Sequence, residues 1–514
     1  MIANATMLMV VMGIVLVLVM VLSVIANKRT KDAHDYMVAG GKMRMWLVTS
    51  TVLATFICGG TVMGGAGIAY TDGMQATIPD PFGAALCLIV GGLFYMGLIR
   101  KTGAVSAGSV YQNRYGRSGA AIASFCMVPT FVFFAGSQIA ALAKLFQILL
   151  GFDFFWIALI AGIFIIIHTW LGGITAVAWT DFIQIALLVL GVILMFPLVY
   201  SRLGDLGGQP VVVEMMGKEF FSFGLNGDFT FAGIMTYLAL WVGTSAGAVP
   251  GADLIQRGLV SKTPAVARNS SVLAGIIMAA IGLLVVFMGA WGNVFMANGM
   301  FTGAEAAMIE ADSELLLLII STKVLPQWLI ALFFTGVMGA IISSADSALF
   351  APATIISNDV VRPWFENKGK QYEDKDLMKW SQWAVAGLGI IATVLGATTQ
   401  SVFDLMVVGF TIQAVLFFPL TLALYWKHAN KTGAVWGMIV GMVLAIGMMV
   451  TQGTITPEPY WVQVFMPMVA GVIVQVAVSF ATAKKDPPVP LMHADGNVIK
   501  WPELVGNVKK TFNA

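Results

Sequence analysis

The sequence predicts an all-α membrane protein with about thirteen transmembrane helices. Only 11% of its 514 residues are charged and 59% are hydrophobic, whereas an ordinary soluble domain is about 25% charged. So few charges cannot cover a 54.8 kDa globule with a wetted surface, and a lipid bilayer must therefore cover much of it. About thirteen apolar runs also approach or exceed the roughly 20 residues that a helix needs to cross a bilayer.

Each predicted span is an apolar run bounded by polar residues. In chain order the runs cover 7–26, 45–70, 79–99, 119–149, 154–170, 174–200, 229–254, 271–298, 313–355, 378–398, 401–426, 432–452 and 460–482. The longest polar stretches are 201–228, 362–377 and a proline-containing tail from 483. No large soluble domain is predicted, and the tail is expected to be an extended cytoplasmic segment.

Basic residues occur in alternate loops. They cluster within 28–44, 100–117, 257–268, 362–379, 427–431 and 484–485. Cytoplasmic loops carry an excess of lysine and arginine, so these loops are expected on the inner side. The chain is therefore predicted to be a multi-pass protein of the plasma (inner) membrane, with its N-terminus outside and its C-terminus cytoplasmic.

Composition and motifs exclude several function classes. The net charge of +2 gives no support for nucleic-acid binding. The three cysteines, Cys58, Cys87 and Cys126, form no CxxC site. The sequence has no GxxxxGK[ST] P-loop, and its G-x-S-x-G match at residues 243–247 lies within an apolar span rather than at a strand-to-helix turn. We expect neither an enzyme nor a built-in ATPase, and no obligatory protein partner is indicated, so any transport must use an ion gradient or run downhill.

Two glycine-rich segments interrupt predicted helices. Residues 58–67 read C-G-G-T-V-M-G-G-A-G, and residues 243–251 read G-T-S-A-G-A-V-P-G. Non-helical backbone at membrane depth must be buried in protein or line a cavity, and transporters with inverted repeats break corresponding helices of their two halves. Close helix packing through small residues is the alternative explanation. The five-span separation favours a pair of repeats.

Polar side chains also share one face of the ninth span. Ser343, Asp346 and Ser347 are three or four residues apart and therefore lie together on a helix. Two hydroxyls and a carboxylate suit a hard monovalent cation, although serines in helices also bond back to carbonyls one turn earlier. Asp181, near the start of the sixth span, is a further intramembrane carboxylate and a functional candidate by default.

Three other polar residues have two interpretations each. Asp80, between two prolines, either faces a solute cavity or caps the third span. His168 is either a packed interfacial histidine or a proton relay, and Gln413 either contacts solute or bonds a neighbouring helix.

Five segments together carry a resemblance to a known family. They are residues 35–41 (D-Y-M-V-A-G-G), 64–70 (G-G-A-G-I-A-Y), 172–184 (G-G-I-T-A-V-A-W-T-D-F-I-Q), 253–257 (D-L-I-Q-R) and 343–347 (S-S-A-D-S). In this order the chain resembles the solute:sodium symporters, which include bacterial proline, sialic acid, pantothenate and sodium/glucose transporters. The resemblance extends from about residue 8 to 482.

This resemblance implies the leucine-transporter fold, with two inverted five-helix repeats and extra helices at both ends. The implied divisions are an N-terminal helix and loop (1–44), the first repeat (45–200), an extracellular loop (201–228), the second repeat (229–426), two extra helices (427–482) and a cytoplasmic tail (483–514). The implied transport mechanism is sodium-coupled import of a small organic solute by alternating access.

The resemblance also implies where Na+ binds. The ligands of one site would be the backbone carbonyls of Ala54, Ile57 and Ala340 and the hydroxyls of Ser343 and Ser344. A possible second sodium site would involve Ser343 with Asp181, Asp346 and Ser347. Asp346 replaces a serine of the two-sodium members, so the resemblance implies the second sodium site less strongly than the first.

The solute is less clearly specified. The candidate solute-binding residues are Gly59, Thr61, Asp80, Thr244, Gly247 and Gln413. Sugar transporters carry an aromatic gate where this chain has Gly247, so an amino acid or organic acid is favoured over a sugar. The alternatives are a proton-coupled symporter of the same fold, in which Asp181 and Asp346 titrate, and a solute sensor that acts with a separate partner.

Overall fold

The computed structural model describes residues 5–27, 38–171, 174–225, 228–369, 373–399 and 401–500. Across these ranges the chain is almost entirely helical, and its β structure is limited to two isolated bridges. Some features named above lie outside the described residues: 28–37 of the first basic loop and first motif, Gly172 and Gly173 of the third motif, and the tail from residue 501.

The long helices follow the predicted spans. In chain order they are α1 (Ala5–Asn27), α2a (Met45–Phe56), α2b (Gly60–Thr71), α3 (Gln75–Lys101), α4 (Ala107–Leu150), α5 (Phe154–Leu171), α6 (Ile174–Gly204), α7a (Phe231–Ala248), α7b (Ala252–Leu259), α8 (Pro264–Ala297), α9 (Gln327–Ile355), α10 (Asp374–Thr398), α11 (Val402–Tyr425), α12 (Lys431–Gln452) and α13 (Tyr460–Thr482). Among the described residues, eleven helices are long and apolar enough to cross a membrane, and the bent pair α2a–α2b makes a twelfth. With α1, the all-α, many-span prediction is confirmed.

The ninth span is shorter than the sequence predicts. The limits 313–355 are wrong at their start, because the separate helix Leu316–Val324 precedes α9. Pro326, at the N-cap of α9, has an extended backbone (φ −66°, ψ 153°), and a proline also disfavours helical geometry in the residue before it. The membrane helix therefore begins only at Gln327.

The first interruption lies in α2, whose two halves meet at 58°. Helix α2a ends at Phe56, and Ile57 has an extended backbone (φ −78°, ψ 102°). A side chain at Gly59 would collide with Ala141 of α4, so a small residue is needed for these helices to approach closely. The predicted break in the second span is confirmed.

The second interruption separates α7a from α7b. Pro250 has no amide hydrogen and therefore cannot donate the next hydrogen bond of the helix. Gly251 departs from helical geometry (φ −56°, ψ 131°) and leads into α7b. The predicted break is therefore present, and α7b extends beyond the predicted end of this span.

Helix α9 lies at the centre of the bundle. Every residue from Phe333 to Ile355 is buried. Gly336 lies against the backbone of Leu188 in α6, and Gly339 lies against Gln184 of the same helix. Small residues allow this close approach between membrane helices. The polar stretch of α9 is thereby enclosed by protein rather than by lipid.

The outward faces of the peripheral helices are apolar. Exposed large side chains include Ile160 on α5, Ile193 on α6, Ile390 on α10 and Ile473 on α13. Extensive exposed apolar surface of this kind marks a membrane interaction, in agreement with a multi-pass membrane protein.

The tail after α13, which the sequence analysis predicts as an extended segment, has no helix from 487 to 500 and packs against the bundle. Leu491 and Ile499 are buried. The N–H of Met492 donates to Asn113 Oδ1 (3.0 Å), and the N–H of Ala494 donates to the carbonyl of Lys101 (3.0 Å). The tail up to residue 500 thus packs against the connection between α3 and α4.

A buried ion pair joins α4 to the segment before α9 and to the start of α11. Lys144 Nζ lies 2.5 Å from Glu314 Oε2 and 2.6 Å from Asp312 Oδ2. Glu314 also accepts hydrogen bonds from the N–H groups of Val402 (3.2 Å) and Phe403 (2.9 Å). One carboxylate therefore connects three parts of the bundle.

Lys144→Met is expected to lower the stability of the purified protein substantially, because it leaves Glu314 buried without its cation. Breaking a buried ion pair costs about 3–5 kcal/mol. Lys323→Met is the matched control, since its pair with Glu305 is 27% exposed on both sides, and exposed pairs contribute about 1 kcal/mol or less. Thermal melting in detergent measures both variants. Equal losses would contradict the role of the buried pair.

Candidate functional site

The proposed sodium site lies where the end of α2a meets the middle of α9. Ser343 Oγ is 3.2 Å from the carbonyl oxygen of Ala54, and Ser344 Oγ is 3.1 Å from the carbonyls of Ala54 and Thr55. The last carbonyls of a helix have no partner within it, so the end of α2a presents free oxygen atoms to α9. Ile57 and Ala340, the other predicted ligands, are buried.

The serine hydroxyls have too few protons for their contacts. Ser343 Oγ donates to Asp181 Oδ1 at 2.5 Å, and a hydroxyl carries a single hydrogen. That hydrogen is then not available to Ala54, and Ser344 has one hydrogen for two carbonyl oxygens. Several oxygen atoms therefore lie close together with no hydrogen between them. A small cation at this position would offset their mutual repulsion.

Asp181 is the centre of a second polar cluster beside the first. Its side chain is fully buried. Oδ1 accepts the hydrogen bond from Ser343, and Oδ2 accepts one from the Thr51 hydroxyl of α2a. Arg257 Nη2 of α7b lies 3.9 Å from Oδ2. The cluster thus joins the two broken helices to α6 and α9.

Asp346 faces a different neighbour. Its Oδ2 lies 2.7 Å from His168 Nδ1, and its Oδ1 accepts a hydrogen bond from the Thr169 hydroxyl at 2.6 Å. Both partners belong to α5. The Asp346 carboxylate therefore contacts α5, whereas the Asp181 carboxylate is contacted by residues of α2a, α7b and α9.

Ser347 contacts Arg257 rather than a carboxylate. Arg257 Nη2 donates to Ser347 Oγ at 2.6 Å, and Thr55 Oγ1 lies 3.3 Å from the same atom. Arg257 is 1% exposed. Its inclusion among the basic residues of a cytoplasmic loop was wrong, because α7b folds back into the bundle and carries the guanidinium inward.

Asp80 lies in a non-helical turn of α3. Its backbone is extended (φ −146°, ψ 125°), and among the described residues its carboxylate accepts no hydrogen bond from a backbone N–H. The carboxylate is buried, interacts with the Thr61 hydroxyl beside the first break, and leaves Oδ2 without a hydrogen-bond partner among the described residues. None of the ion pairs among those residues includes Asp80.

Three other predicted solute contacts, Gly59, Thr244 and Gln413, are also buried. Thr244 Oγ1 and both side-chain polar atoms of Gln413 are buried and have no hydrogen-bond partner in the described part of the chain. The Gly59 N–H donates to Gln138 Oε1 of α4 at 3.0 Å. Buried polar groups normally have partners, so Thr244 and Gln413 are open positions for a polar ligand.

Gly247 permits α7a to pack directly on α11. A Cβ atom at this position would collide with the Phe410 carbonyl. Gly247→Ala is therefore expected to lower the melting temperature of the purified protein, because overpacking a core costs about 1–3 kcal/mol. Gly387→Ala on α10 is the control, since a Cβ there has no neighbour within 4 Å. Unchanged melting of the Gly247 variant would show that the close packing is not needed.

Several residues of these clusters escaped the sequence analysis. Thr51, Thr55 and Gln138 were not singled out. Gln138 could have been identified from the sequence, since it lies in the long fourth span and polar residues within the membrane are costly. The two threonines gave no such signal, because hydroxyls can bond within their own helix.

Comparisons with known proteins identify the family of this chain. The model of the sodium:solute symporter family matches residues 36–441. The high-affinity choline transporter 1 of Drosophila melanogaster is 25% identical over 84% of this chain and 69% of its own length. The uncharacterized symporter YwcA of Bacillus subtilis is also 25% identical, over 84% of this chain and 83% of its own length.

A solved structure supports the fold. The substrate-bound outward-open state of a Na+-coupled sialic acid symporter superposes with a TM-score of 0.74 at 20% identity, over 94% of this chain and 99% of that one. The leucine-transporter fold is therefore confirmed, and the family consists of secondary active transporters rather than enzymes. This chain belongs to the sodium:solute symporter family.

Proposed function

We propose that this protein couples inward sodium movement to the import of a small organic solute with a positively charged nitrogen. The supporting observation for sodium is the shortage of hydroxyl protons where α2a meets α9. The oxygen atoms of Ala54, Ser343 and Ser344, with the carbonyls of Ile57 and Ala340, would form a shell without formal charge. Such a shell suits an ion that binds weakly and is released in every cycle.

Coupling follows from the position of this shell. Sodium between α2a and α9 would hold the first break in one arrangement, and Gly59 and Thr61 of that break adjoin the solute region. Two ligands that favour the same state increase each other's affinity. One charge crossing 100 mV contributes about 2.3 kcal/mol, enough for roughly fifty-fold accumulation before the sodium gradient is added.

Asp80 supports the solute class. A buried carboxylate normally has a cationic or hydrogen-bonding partner, and Oδ2 of Asp80 has none among the described residues. A solute ammonium group at this position would supply it, with Thr244 and Gln413 binding the remaining polar atoms. An amino acid has such a group, whereas a simple organic acid or a sugar has none. Relatives described as choline transporters make a quaternary ammonium solute the second candidate.

The orientation and the repeat boundaries are part of the same proposal. The N-terminus would lie outside and the C-terminus in the cytoplasm of the plasma (inner) membrane. The two repeats would comprise 45–200 and 229–426, so that each begins with a broken helix. Accessibility of single cysteines introduced into the 28–44 and 201–228 loops would test this orientation.

Uptake into proteoliposomes tests the function. We expect an inward sodium gradient to drive accumulation of one labelled amino acid or of choline, and unlabelled organic acids and glucose to compete poorly. Comparing the uptake of labelled amino acids with the uptake of labelled choline distinguishes the two candidate solutes. Accumulation driven by a proton gradient in sodium-free buffer would contradict the proposal, as would a preference for glucose.

A further inference from the structure

The start of α2b is capped by a side chain from another helix. The first four N–H groups of a helix have no partner within it, and in transporters such half-helix N-termini bind anionic groups of the solute. Here the N–H of Gly59 donates to Oε1 of Gln138, a fully buried residue of α4, at 3.0 Å. The N–H of Val62 donates to the carbonyl of Cys58 at 3.1 Å. Two of the four groups therefore already have acceptors within the protein.

The N-terminus of α7b also carries an acceptor of its own chain. Asp253 lies in the first turn of this helix, and its Oδ1 accepts the N–H of Leu254 at 2.8 Å. The side chain is buried, and its Oδ2 has no hydrogen-bond partner among the described residues. A second carboxylate placed at this N-terminus would be repelled by the first. Both broken helices thus begin beside an acceptor that the protein itself supplies.

The buried basic side chains are engaged elsewhere. In the part of the chain that the structure describes, the buried lysine and arginine residues are Arg114, Lys144 and Arg257. Arg114 donates to two backbone carbonyls that follow α11. Lys144 pairs with Glu314, and Arg257 interacts with three buried carboxylates. A carboxylate on the solute would find no unpaired cation among these three side chains.

Asp80 lies beside the same end of α2b. Its carboxylate interacts with the hydroxyl of Thr61, in the first turn of that helix. The α3 turn also meets α7a, since a Cβ at Gly83 would lie 3.5 Å from Thr244 Cβ. If the solute nitrogen pairs with Asp80, a carboxylate next to that nitrogen lies close to a like charge, at a helix end that Gln138 already caps. Like charges in a buried site repel strongly.

We propose that Gln138 and Asp80 together exclude carboxylate-bearing solutes, so that the transported solute is an organic cation without a carboxylate. This specificity rests on the proposed function, and between its two candidates it selects the ammonium solute over the amino acid. Gln138 determines specificity through the Gly59 N–H, because its amide oxygen occupies the donor that a solute carboxylate would need. Asp80 supplies the negative charge that binds the nitrogen and repels a carboxylate attached beside it.

Pairs of ligands that differ by one carboxylate test this specificity. They are choline with glycine betaine, ethanolamine with glycine, and isobutylamine with valine. In sodium chloride, we expect the better-binding amine or ammonium compound to raise the melting temperature of the purified protein at a concentration about thirtyfold or more below that of its carboxylate partner. The physical reason is that one hydrogen bond to a charged group changes affinity roughly ten- to hundredfold.

Two results would contradict this expectation in different ways. A carboxylate-bearing ligand that binds as tightly as its partner, or more tightly, would overturn the exclusion and leave sodium-coupled transport of a nitrogen-bearing solute intact. The absence of a sodium-dependent response to every amine, ammonium compound and amino acid would instead overturn the proposed function, and the exclusion with it.

Substitution of Gln138 gives a readout that a purely structural role would not produce. Gln138→Leu frees the Gly59 N–H and should reduce the preference for choline over glycine betaine about tenfold or more, because a carboxylate gains a donor. Gln138→Glu keeps an acceptor oxygen and should preserve the preference, which provides a second test if the leucine variant does not fold. An unchanged preference in the leucine variant, or a lost preference in the glutamate variant, would overturn the proposal.

Gln475→Leu is the matched control for the leucine variant. Gln475 of α13 is also a fully buried amide, and its Nε2 donates to Tyr115 Oη at 3.0 Å. It shares no hydrogen-bond partner with Gln138 in the described part of the chain. We therefore expect its choline-to-betaine preference to stay within about twofold of the wild type, even if the variant melts at a lower temperature. An equal loss of preference in both variants would assign the effect to general destabilisation and count against the role of Gln138.

Discussion

Ser343→Ala is expected to raise the sodium concentration for half-maximal uptake about tenfold or more. The change removes one of the five proposed oxygen ligands and the hydrogen-bond donor to Asp181 Oδ1. A tenfold change corresponds to about 1.4 kcal/mol, and a lost hydrogen bond to a charged group contributes about 1.5–3 kcal/mol. A sodium titration of solute uptake in proteoliposomes measures the effect.

Ser357→Ala is the matched control for this variant. Ser357 is equally buried and follows α9, but its hydroxyl donates to the Thr354 carbonyl one turn earlier and has no hydrogen bond to a carboxylate among the described residues. We expect its sodium dependence to remain within about twofold of the wild type, because bonds of this kind contribute little. An unchanged sodium requirement in Ser343→Ala would place the ion elsewhere.

Asp80→Asn is expected to weaken solute binding about thirtyfold or more and to leave sodium binding unchanged. The substitution keeps the shape of the side chain and removes the charge that the solute nitrogen would pair with. Truncating one partner of a buried charge pair costs about 2–5 kcal/mol. Solute-dependent and sodium-dependent shifts of the melting temperature, measured on one preparation, separate the two effects.

Asp404→Asn provides the comparison for Asp80→Asn. Asp404 is an exposed carboxylate in the first turn of α11, at the rim of a cavity of about 220 Å³. Its replacement should change the solute affinity less than about threefold, because exposed charges are screened by solvent. If the Asp80 variant bound solute as tightly as this control, the solute nitrogen would have another partner.

Much of the fold was predictable because the bilayer imposes length and polarity on each segment. The apolar runs located almost every helix, and Gly59 and Pro250 marked the two interruptions through rules of local backbone geometry. The start of α9 was not predictable in this way, since the helix Leu316–Val324 before it is also apolar. Hydropathy alone does not separate two apolar helices that follow each other closely.

The residue types that form the site could be predicted from the sequence, but which of these residues contact each other could not. The spacing of Ser343, Asp346 and Ser347 located a polar face, but it could not tell that Asp346 meets His168 while Ser347 meets Arg257. Those contacts depend on how α5 and α7b pack against α9, a tertiary property absent from local spacing. Arg257 was misplaced because a basic residue near Lys262 and Arg268 resembles part of a cytoplasmic loop.

Coupled binding of sodium and solute is the central claim, and melting of the purified protein tests it most directly. The melting temperature would be measured in sodium chloride and in potassium chloride, with amino acids, choline, organic acids and sugars added in turn. A ligand that binds the folded state raises the melting temperature. We predict a rise with sodium that one nitrogen-bearing solute enlarges, and little effect of that solute in potassium. The same solute shift in both salts would contradict the account.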